Sequence, residues 1–168
     1  MIRVLSCLSI LLLASSLYGA NVSDEGNYEH KLSENAANIL QKADKVTLYS
    51  LDPDPRLNDQ NAFHDVHVLG SVDLKDAGKD TLLKALHRGV ADDKATAAAC
   101  FNPRHGIRAE HEGKRVDIVV CFQCWKIKVF EPGDATGKYV VVGRGPQSEL
   151  DKLLTDANVK LAPKAERK

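Results

Sequence analysis

The chain has 168 residues, with 23 basic and 23 acidic residues and a formal net charge of zero. No basic run marks a nucleic-acid-binding surface, and aromatic residues make up only 5% of the chain, which argues against a surface that stacks on bases. The length is that of about one domain, whose core must be built from Val, Leu, Ile and Ala.

The segment 1–20 has the layout of a secretory signal peptide. Arg3 supplies an early positive charge, and the run from Val4 to Leu17 is uncharged and mostly apolar. This run is shorter than the roughly 20 residues that cross a bilayer, so we expect cleavage after Gly19 or Ala20 rather than a permanent anchor. The pattern predicts a periplasmic or secreted protein without a membrane span in the mature chain.

Residues 21–45 are predicted to form a lead-in and one helix. Over Ser33–Ala43 the apolar residues Ala36, Ile39 and Leu40 recur with helical spacing and lie on one side.

A single α+β domain is predicted over 46–162, followed by a disordered tail at 163–168. Alternating apolar and polar residues predict strands at Val46–Leu51 and Asp65–Val72, with a polar loop between them. A second helix is expected near Lys79–Arg88 and is expected to stop at Gly89. Pro146 opens a last helix, and Asn158 suits the left-handed position that ends it.

The segment 105–130 is predicted to form an antiparallel meander. A two-residue turn at Glu112-Gly113 places Arg108 opposite Asp117 and Ile107 opposite Ile118. The charged and the apolar pairs both match in this register, and a slip of one residue would break them all. We therefore expect an apolar face that packs under the helices and a charged face on the other side.

A second reversal is expected at Phe122-Gln123, where Cys121 and Cys124 would stand directly opposite each other. This register pairs Asp117 with Lys128 and Val120 with Trp125, which extends the charged row to Arg108–Asp117–Lys128. Phe-Gln lacks the Gly or Asn of a tight hairpin, so a bulge in one long strand is the alternative.

Two sequence segments resemble small exported bacterial proteins of uncharacterised function. They are Cys100-Phe-Asn-Pro-Arg-His-Gly-Ile-Arg108 and Val116-Asp-Ile-Val-Val-Cys-Phe-Gln-Cys124, and Leu48-Tyr-Ser-Leu-Asp-Pro53 fits the same pattern. The resemblance covers about half of the chain. It implies a bacterial, extracytoplasmic setting and no particular activity.

Three of the four cysteines, Cys100, Cys121 and Cys124, lie beyond the predicted signal peptide. In an oxidising compartment thiols pair, and an odd number leaves one over. A bridge from Cys100 to either of the others would be a structural staple, whereas a Cys121–Cys124 bridge would be short and reducible. A non-catalytic binding or structural module with such a staple is the first functional hypothesis.

The same cysteines support a second hypothesis, a metal-binding or redox-linked protein. Cys100, Cys121 and Cys124 would supply thiolates and His105 an imidazole, a ligand set that suits zinc. One Cys-x-x-Cys pair is a weak signal, and the expected register turns His105 away from Cys121. A thioredoxin-like pair would open a helix, whereas this pair lies between strands.

A third hypothesis starts from Arg104-His-Gly-Ile-Arg108, which resembles the Arg-His-Gly-x-Arg signature of the histidine phosphatases. The resemblance implies His105 as the nucleophile, with Arg104 and Arg108 as phosphate clamps. The context differs from that family, because here the motif leads into a strand and Arg108 is already matched with Asp117. His64 and His67 are interpreted as ordinary residues at the edge of a strand.

Overall fold

The computed structural model describes residues 28–54, 61–92 and 94–163. The predicted signal peptide and the tail from residue 164 onward lie outside these residues, as does most of the expected loop at 56–62. The described elements follow in the order α1 (Glu34–Lys42), β1 (Lys45–Asp52), β2 (Ala62–Phe63), β3 (Val66–Asp73), α2 (Asp76–Val90), β4 (His105–His111), β5 (Lys114–Cys121), β6 (Lys126–Phe130), β7 (Lys138–Val141) and α3 (Gln147–Asp156).

The seven strands of the described residues form one sheet in the order β2-β3-β1-β4-β5-β6-β7. Every neighbouring pair is antiparallel. The fold is therefore α+β with an antiparallel sheet, as the sequence predicts. Each helix of the described residues is too short or too polar to cross a membrane.

The helices pack on one face of the sheet, which we call the helix face. Its core joins the apolar sides of the three helices to inward residues of the strands. The buried members include Ala36, Ile39, Leu40, Val46, Leu48, Leu82, Leu86, Ile107, Ile118, Ile127, Leu150 and Leu154. Ser33 begins α1 by accepting a hydrogen bond of 3.0 Å from the amide of Ala36, which satisfies a donor that the first turn leaves free.

The other face of the sheet, which we call the open face, carries a smaller apolar cluster. Leu51, Phe63 and Val119 are buried there, with Phe101 and Phe130 packed around them. Because side chains alternate along a strand, Asp117, Val119 and Cys121 all project to this face, while Val116, Ile118 and Val120 point to the helices.

The first hairpin of the meander has the predicted register. Arg108 pairs with Asp117, Ala109 with Val116 and Ile107 with Ile118. Glu112 and Gly113 have φ values of 48° and 73°, as a two-residue turn with two left-handed residues requires.

The predicted register of the second hairpin is wrong by two residues. Val120 pairs with Ile127 rather than Trp125, and Asp117 pairs with Phe130 rather than Lys128. The turn is four residues long because Phe122, Gln123, Cys124 and Trp125 all leave the ladder, with Trp125 in the left-handed region at a φ of 55°. A shift of two residues keeps the side chains of the paired strand residues on their predicted faces. It breaks the charged row, and it also removes the expected opposition of Cys121 and Cys124, because Cys121 pairs with Lys126.

The second helix does not stop at Gly89. It runs from Asp76 to Val90, and Gly89 is buried inside its last turn. A Cβ added at Gly89 would collide with Pro146 and would lie 2.8 Å from Cγ2 of Val142. The glycine is therefore explained by close packing of α2 against the start of α3 rather than by a helix end.

Candidate functional site

Three sulfur atoms meet at the turn between β5 and β6. Cys121 ends β5 and Cys124 lies in the turn, and the two form a disulfide. Cys100 lies in the irregular segment before β4 and is an exposed free thiol. Its Sγ is only 2.9 Å from Sγ of Cys124. The predicted cluster of three cysteines therefore assembles, with one disulfide and one thiol in contact.

Backbone hydrogen bonds hold the Cys100 segment against the turn. The amide of Ala98 donates to the carbonyl of Cys124 at 2.9 Å, and the amide of Arg104 donates to the carbonyl of Val120 at 3.1 Å. These bonds lie on either side of Cys100 in the chain. The contact between the thiol and the disulfide is thus set by the backbone.

Cys121 has one hydrogen-bond donor and one cross-strand lysine as neighbours. The amide of Cys124 donates to Sγ of Cys121 at 3.2 Å. Lys126 is the cross-strand partner of Cys121, so the two side chains leave the same face with Cβ atoms roughly 5 Å apart. Both features favour negative charge on the sulfur of Cys121.

Lys126 is unusual for a lysine because its side chain is only 3% exposed. Its ammonium group donates to the carbonyl of Ala99 at 3.3 Å and lies about 5 Å from the ring centres of Tyr28 and Tyr139. No carboxylate among the described residues forms an ion pair with it. A buried cation without a carboxylate partner is costly unless another negative group compensates it.

A cleft of about 760 Å³ opens beside Cys100. Its wall is made of polar and apolar side chains from the Cys100 segment, the β5–β6 turn, α3 and the chain after α3. The lining residues include Cys100, Arg104, His105, Phe122, Arg144 and Asp151.

His105 is 3% exposed and lies on the helix face. Its Nε2 is 2.8 Å from Oδ1 of Asp151, and its ring packs edge-on against Phe122. Its Nδ1 is buried and has no hydrogen-bond partner. Asp151 therefore fixes the orientation of this ring, and the second nitrogen stays unused.

The four predicted metal ligands are only partly brought together. Cys100, Cys121 and Cys124 converge, but two of them are joined as a disulfide, and His105 is held by Asp151. Within the described residues no group of three or more His, Cys, Asp or Glu side chains is arranged to hold a metal ion. Zinc binding would require reduction of the disulfide, because thiolates and not disulfide sulfurs ligate zinc.

Arg104, His105 and Arg108 do not surround a common position. Arg108 projects to the open face and binds both carboxylate oxygens of Asp117 at 2.8 Å, while His105 projects to the helix face. Arg104 donates to the carbonyl of Pro163 at 3.0 Å. The geometry of the phosphatase motif is therefore absent from these three residues.

His64 has a role that the sequence did not indicate. Residues 64 and 65 form a left-handed turn with φ values of 49° and 65°, which brings Nε2 of His64 to 2.9 Å from Oδ2 of Asp117. The His64 ring stacks on Phe130, with 3.8 Å between the ring centres. No sequence signal marks this contact, because it joins residues 53 positions apart.

Asp117 is the buried acid at the centre of this group, with 4% of its side chain exposed. Burial alone would raise the pKa of Asp117. The hydrogen bonds from Arg108 and His64, together with the positive charges of Arg108 and Arg115, outweigh burial and lower the pKa below its ordinary value. The carboxylate is therefore charged, and it ties β4, β5 and the turn at His64 together.

No known protein family matches the chain, and no curated protein matches it. A solved structure with some backbone similarity to this chain is that of a candidate lipoprotein from Clostridium perfringens. It shares 14% sequence identity with this chain, and the match covers 77% of this chain and 95% of that protein at a TM-score of 0.46.

Proposed function

We propose that this chain is an exported protein that exchanges disulfides through Cys100, Cys124 and Cys121. The single observation that carries the proposal is the distance of 2.9 Å between the free thiol of Cys100 and the disulfide sulfur of Cys124. Export rests on the predicted signal peptide, and an oxidising compartment is where such an equilibrium operates.

The internal step moves the disulfide to an accessible cysteine. The Cys100 thiolate attacks Sγ of Cys124, the Cys100–Cys124 bond forms, and the Cys121–Cys124 bond breaks with its electron pair on Cys121. The proton that leaves Cys100 is regained by Cys121, so the step involves no net oxidation. Cys121 and Cys124 are buried and Cys100 is exposed. The step therefore replaces a disulfide between two buried cysteines by one that includes the exposed Cys100.

The external step transfers the oxidising equivalent to a dithiol. One thiolate of the dithiol attacks Cys100, a mixed disulfide forms, and Cys124 leaves as a thiolate. The second thiol of the same compound attacks the mixed disulfide and releases Cys100. Two electrons pass from the dithiol to the protein, which ends with three thiols while the compound becomes a disulfide.

The surroundings favour Cys121 as the leaving group. A thiolate leaves faster when nearby groups stabilise its charge, and Cys121 has the amide of Cys124 and the cross-strand Lys126 beside it. These two groups supply the positive environment that a helix start provides in thioredoxin-like proteins.

The test is a disulfide map of the protein purified after export without reductant. Free thiols are blocked with N-ethylmaleimide in mildly acidic buffer, where disulfide exchange is slow, and the pairs are identified by peptide mass spectrometry. We expect both Cys121–Cys124 and Cys100–Cys124 pairs in the wild type and only the first pair in Cys100→Ser. We also expect dithiothreitol to reduce the wild type at least tenfold faster than Cys100→Ser, because the variant's disulfide is buried. Equal reduction rates would contradict the proposal.

The same preparation separates the alternatives. A single fixed pair that reduces slowly in both proteins indicates a structural staple. Three free thiols with bound zinc indicate the metal hypothesis, with Cys100, Cys121 and Cys124 as ligands and His105 as the fourth.

A second candidate function is non-catalytic ligand binding on the open face. A cleft of about 350 Å³ lies there, lined by His64, His67, Phe101, Lys128 and other residues. Its one buried polar atom without a hydrogen-bond partner is Nδ1 of His67. Screening of small polar compounds by histidine and backbone NMR shifts tests this candidate, which fails if no compound shifts the signals of His64 or His67.

A further inference from the structure

The arginines of the described residues fall into two groups. Three of the five, Arg88, Arg108 and Arg115, form ion pairs with a carboxylate of Glu149 or Asp117. The other two, Arg104 and Arg144, have no carboxylate partner in the described residues. Both line the 760 Å³ cleft beside Cys100.

Within the part of the chain that the structure describes, the contacts of these two arginines leave their charge unneutralised. Arg104 donates to the carbonyls of Pro163 and Asn102 and to the side-chain oxygen of Gln123. Arg144 lies over the ring of Trp125, with 5.2 Å between its guanidinium carbon and the ring centre. All of these partners are uncharged, and they hold the side chains at the cleft without cancelling the positive charge.

Among the described residues that line the cleft, carboxylates are fewer than arginines. Asp151 is its single carboxylate among the described lining residues, and that group is hydrogen-bonded to His105. His105 also lines the cleft, and its Nδ1 is buried without a hydrogen-bond partner among the described residues.

We infer that the cleft beside Cys100 selects small thiol or disulfide compounds that carry a carboxylate. The inference rests on the proposed exchange function, since it names the substrate class of the same thiol. Guanidinium groups match carboxylate oxygens in geometry and charge, and the cleft has the volume of a small-molecule site. A carboxylate held between Arg104 and Arg144 places the sulfur of the same compound at the cleft edge that Cys100 forms.

The first experiment compares two small disulfides of opposite charge, dithiodiglycolate and cystamine. The Cys100 thiolate attacks either compound, a mixed disulfide forms, and thioglycolate or cysteamine leaves. Each rate is divided by the rate of the same disulfide with N-acetylcysteinamide, a neutral free thiol. We expect the wild type to react about tenfold faster with dithiodiglycolate than with cystamine after this normalisation. Arg104→Gln and Arg144→Gln should each lower this preference about threefold, and added salt should lower it as well.

Arg115→Gln is the matched control, because Arg115 is an exposed arginine that already has a carboxylate partner, Asp117. Its charge preference should equal that of the wild type. Thermal unfolding of all three variants establishes that they are folded. Equal normalised rates for the two disulfides in the wild type would overturn the inference.

The second experiment measures binding without exchange. Cys100→Ser cannot react, and thiodiglycolate is a thioether diacid that contains no exchangeable sulfur. We expect thiodiglycolate to bind Cys100→Ser in calorimetry and to bind at least fivefold more weakly when Arg144→Gln is added. If thiodiglycolate binds but the wild type does not exchange disulfides, the carboxylate-binding cleft is supported and the proposed exchange function is contradicted. If the wild type exchanges disulfides without a charge preference and thiodiglycolate does not bind, the exchange function is supported and the inference about the cleft is contradicted.

Discussion

Arg108 and Asp117 face each other across β4 and β5 and share two hydrogen bonds of 2.8 Å. This geometry is a bidentate pairing of a guanidinium group with a carboxylate, in which both partners are mostly withdrawn from water. His64 adds a third contact to the same carboxylate. Arg115 lies 3.5 Å from the same carboxylate, so loss of Asp117 would leave three side chains without their acceptor.

We expect Asp117→Asn to lower the free energy of unfolding by about 2 to 4 kcal/mol, because removal of one partner strands a partly buried charge. Asp156→Asn is the control, since Asp156 forms an exposed pair with Lys152 on α3, and such pairs contribute at most about 1 kcal/mol. Urea unfolding followed by tryptophan fluorescence measures both. A loss for Asp117→Asn no larger than that for Asp156→Asn would contradict a structural role of the pair.

The lowered pKa of Asp117 also predicts how the free energy of unfolding depends on pH. Its pKa in the folded protein lies below the ordinary value of 3.8, so in acid the unfolded chain binds a proton more readily than the folded protein. The stabilisation is present above pH 3.8 and is lost as the pH falls from there through the folded pKa. We expect the difference in unfolding free energy between wild type and Asp117→Asn to shrink over this acid range. If the difference in unfolding free energy stays constant from neutral pH into this range, the charged carboxylate of Asp117 is not the source of the stabilisation.

Gly89 yields a packing prediction with a matched control. A Cβ at this position meets Val142 at 2.8 Å as well as Pro146, so α2 and α3 must move apart. We expect Gly89→Ala to lower the unfolding free energy by about 1 to 3 kcal/mol, although alanine favours helices. Gly145→Ala adds a Cβ that meets nothing within 4 Å and should be close to neutral. Stabilisation by Gly89→Ala would mean that the helices are not in close contact there.

The first hairpin could be predicted from the sequence because several independent signals agree. Glu112-Gly113 specifies the turn, and the charged and apolar pairs each fix the same register. The second turn offered no comparable signal. Phe122-Gln123 has no turn glycine. The four-residue turn is bridged by the disulfide and requires Trp125 to adopt a left-handed conformation, and local sequence preference specifies neither feature.

The candidate site was predictable in composition but not in geometry. The spacing of Cys121 and Cys124 indicates a pair, and Cys100 is the third cysteine beyond the predicted signal peptide. The contact of Cys100 with Cys124 depends on an irregular segment tied by Ala98 and Arg104, and hydrogen bonds of this kind leave no periodic pattern. The cross-strand position of Lys126 depends on the two-residue shift of the second hairpin, so the sequence analysis missed it.

Lys126 gives the last prediction, which concerns the charge on Cys121. With Cys7, Cys100 and Cys124 replaced by Ser, Cys121 is the remaining thiol of the chain. We expect Lys126→Met to lower its ratio of thiolate to thiol at neutral pH by about tenfold, because the cross-strand cation is removed from a site with little water. The ultraviolet absorbance of the thiolate measures this ratio directly.

Lys128→Met is the matched control for this prediction. Lys128 is on the same strand and the same face, but it pairs with Val119, two residues from Cys121. The thiolate ratio in this variant should stay near that of the parent. Replacement of the buried Lys126 by methionine is expected to leave the fold intact, since a buried charge contributes little to the net free energy of folding. If the two methionine variants have the same thiolate ratio, the positive charge of Lys126 does not act on Cys121, and the leaving-group argument must rest on the amide of Cys124 alone.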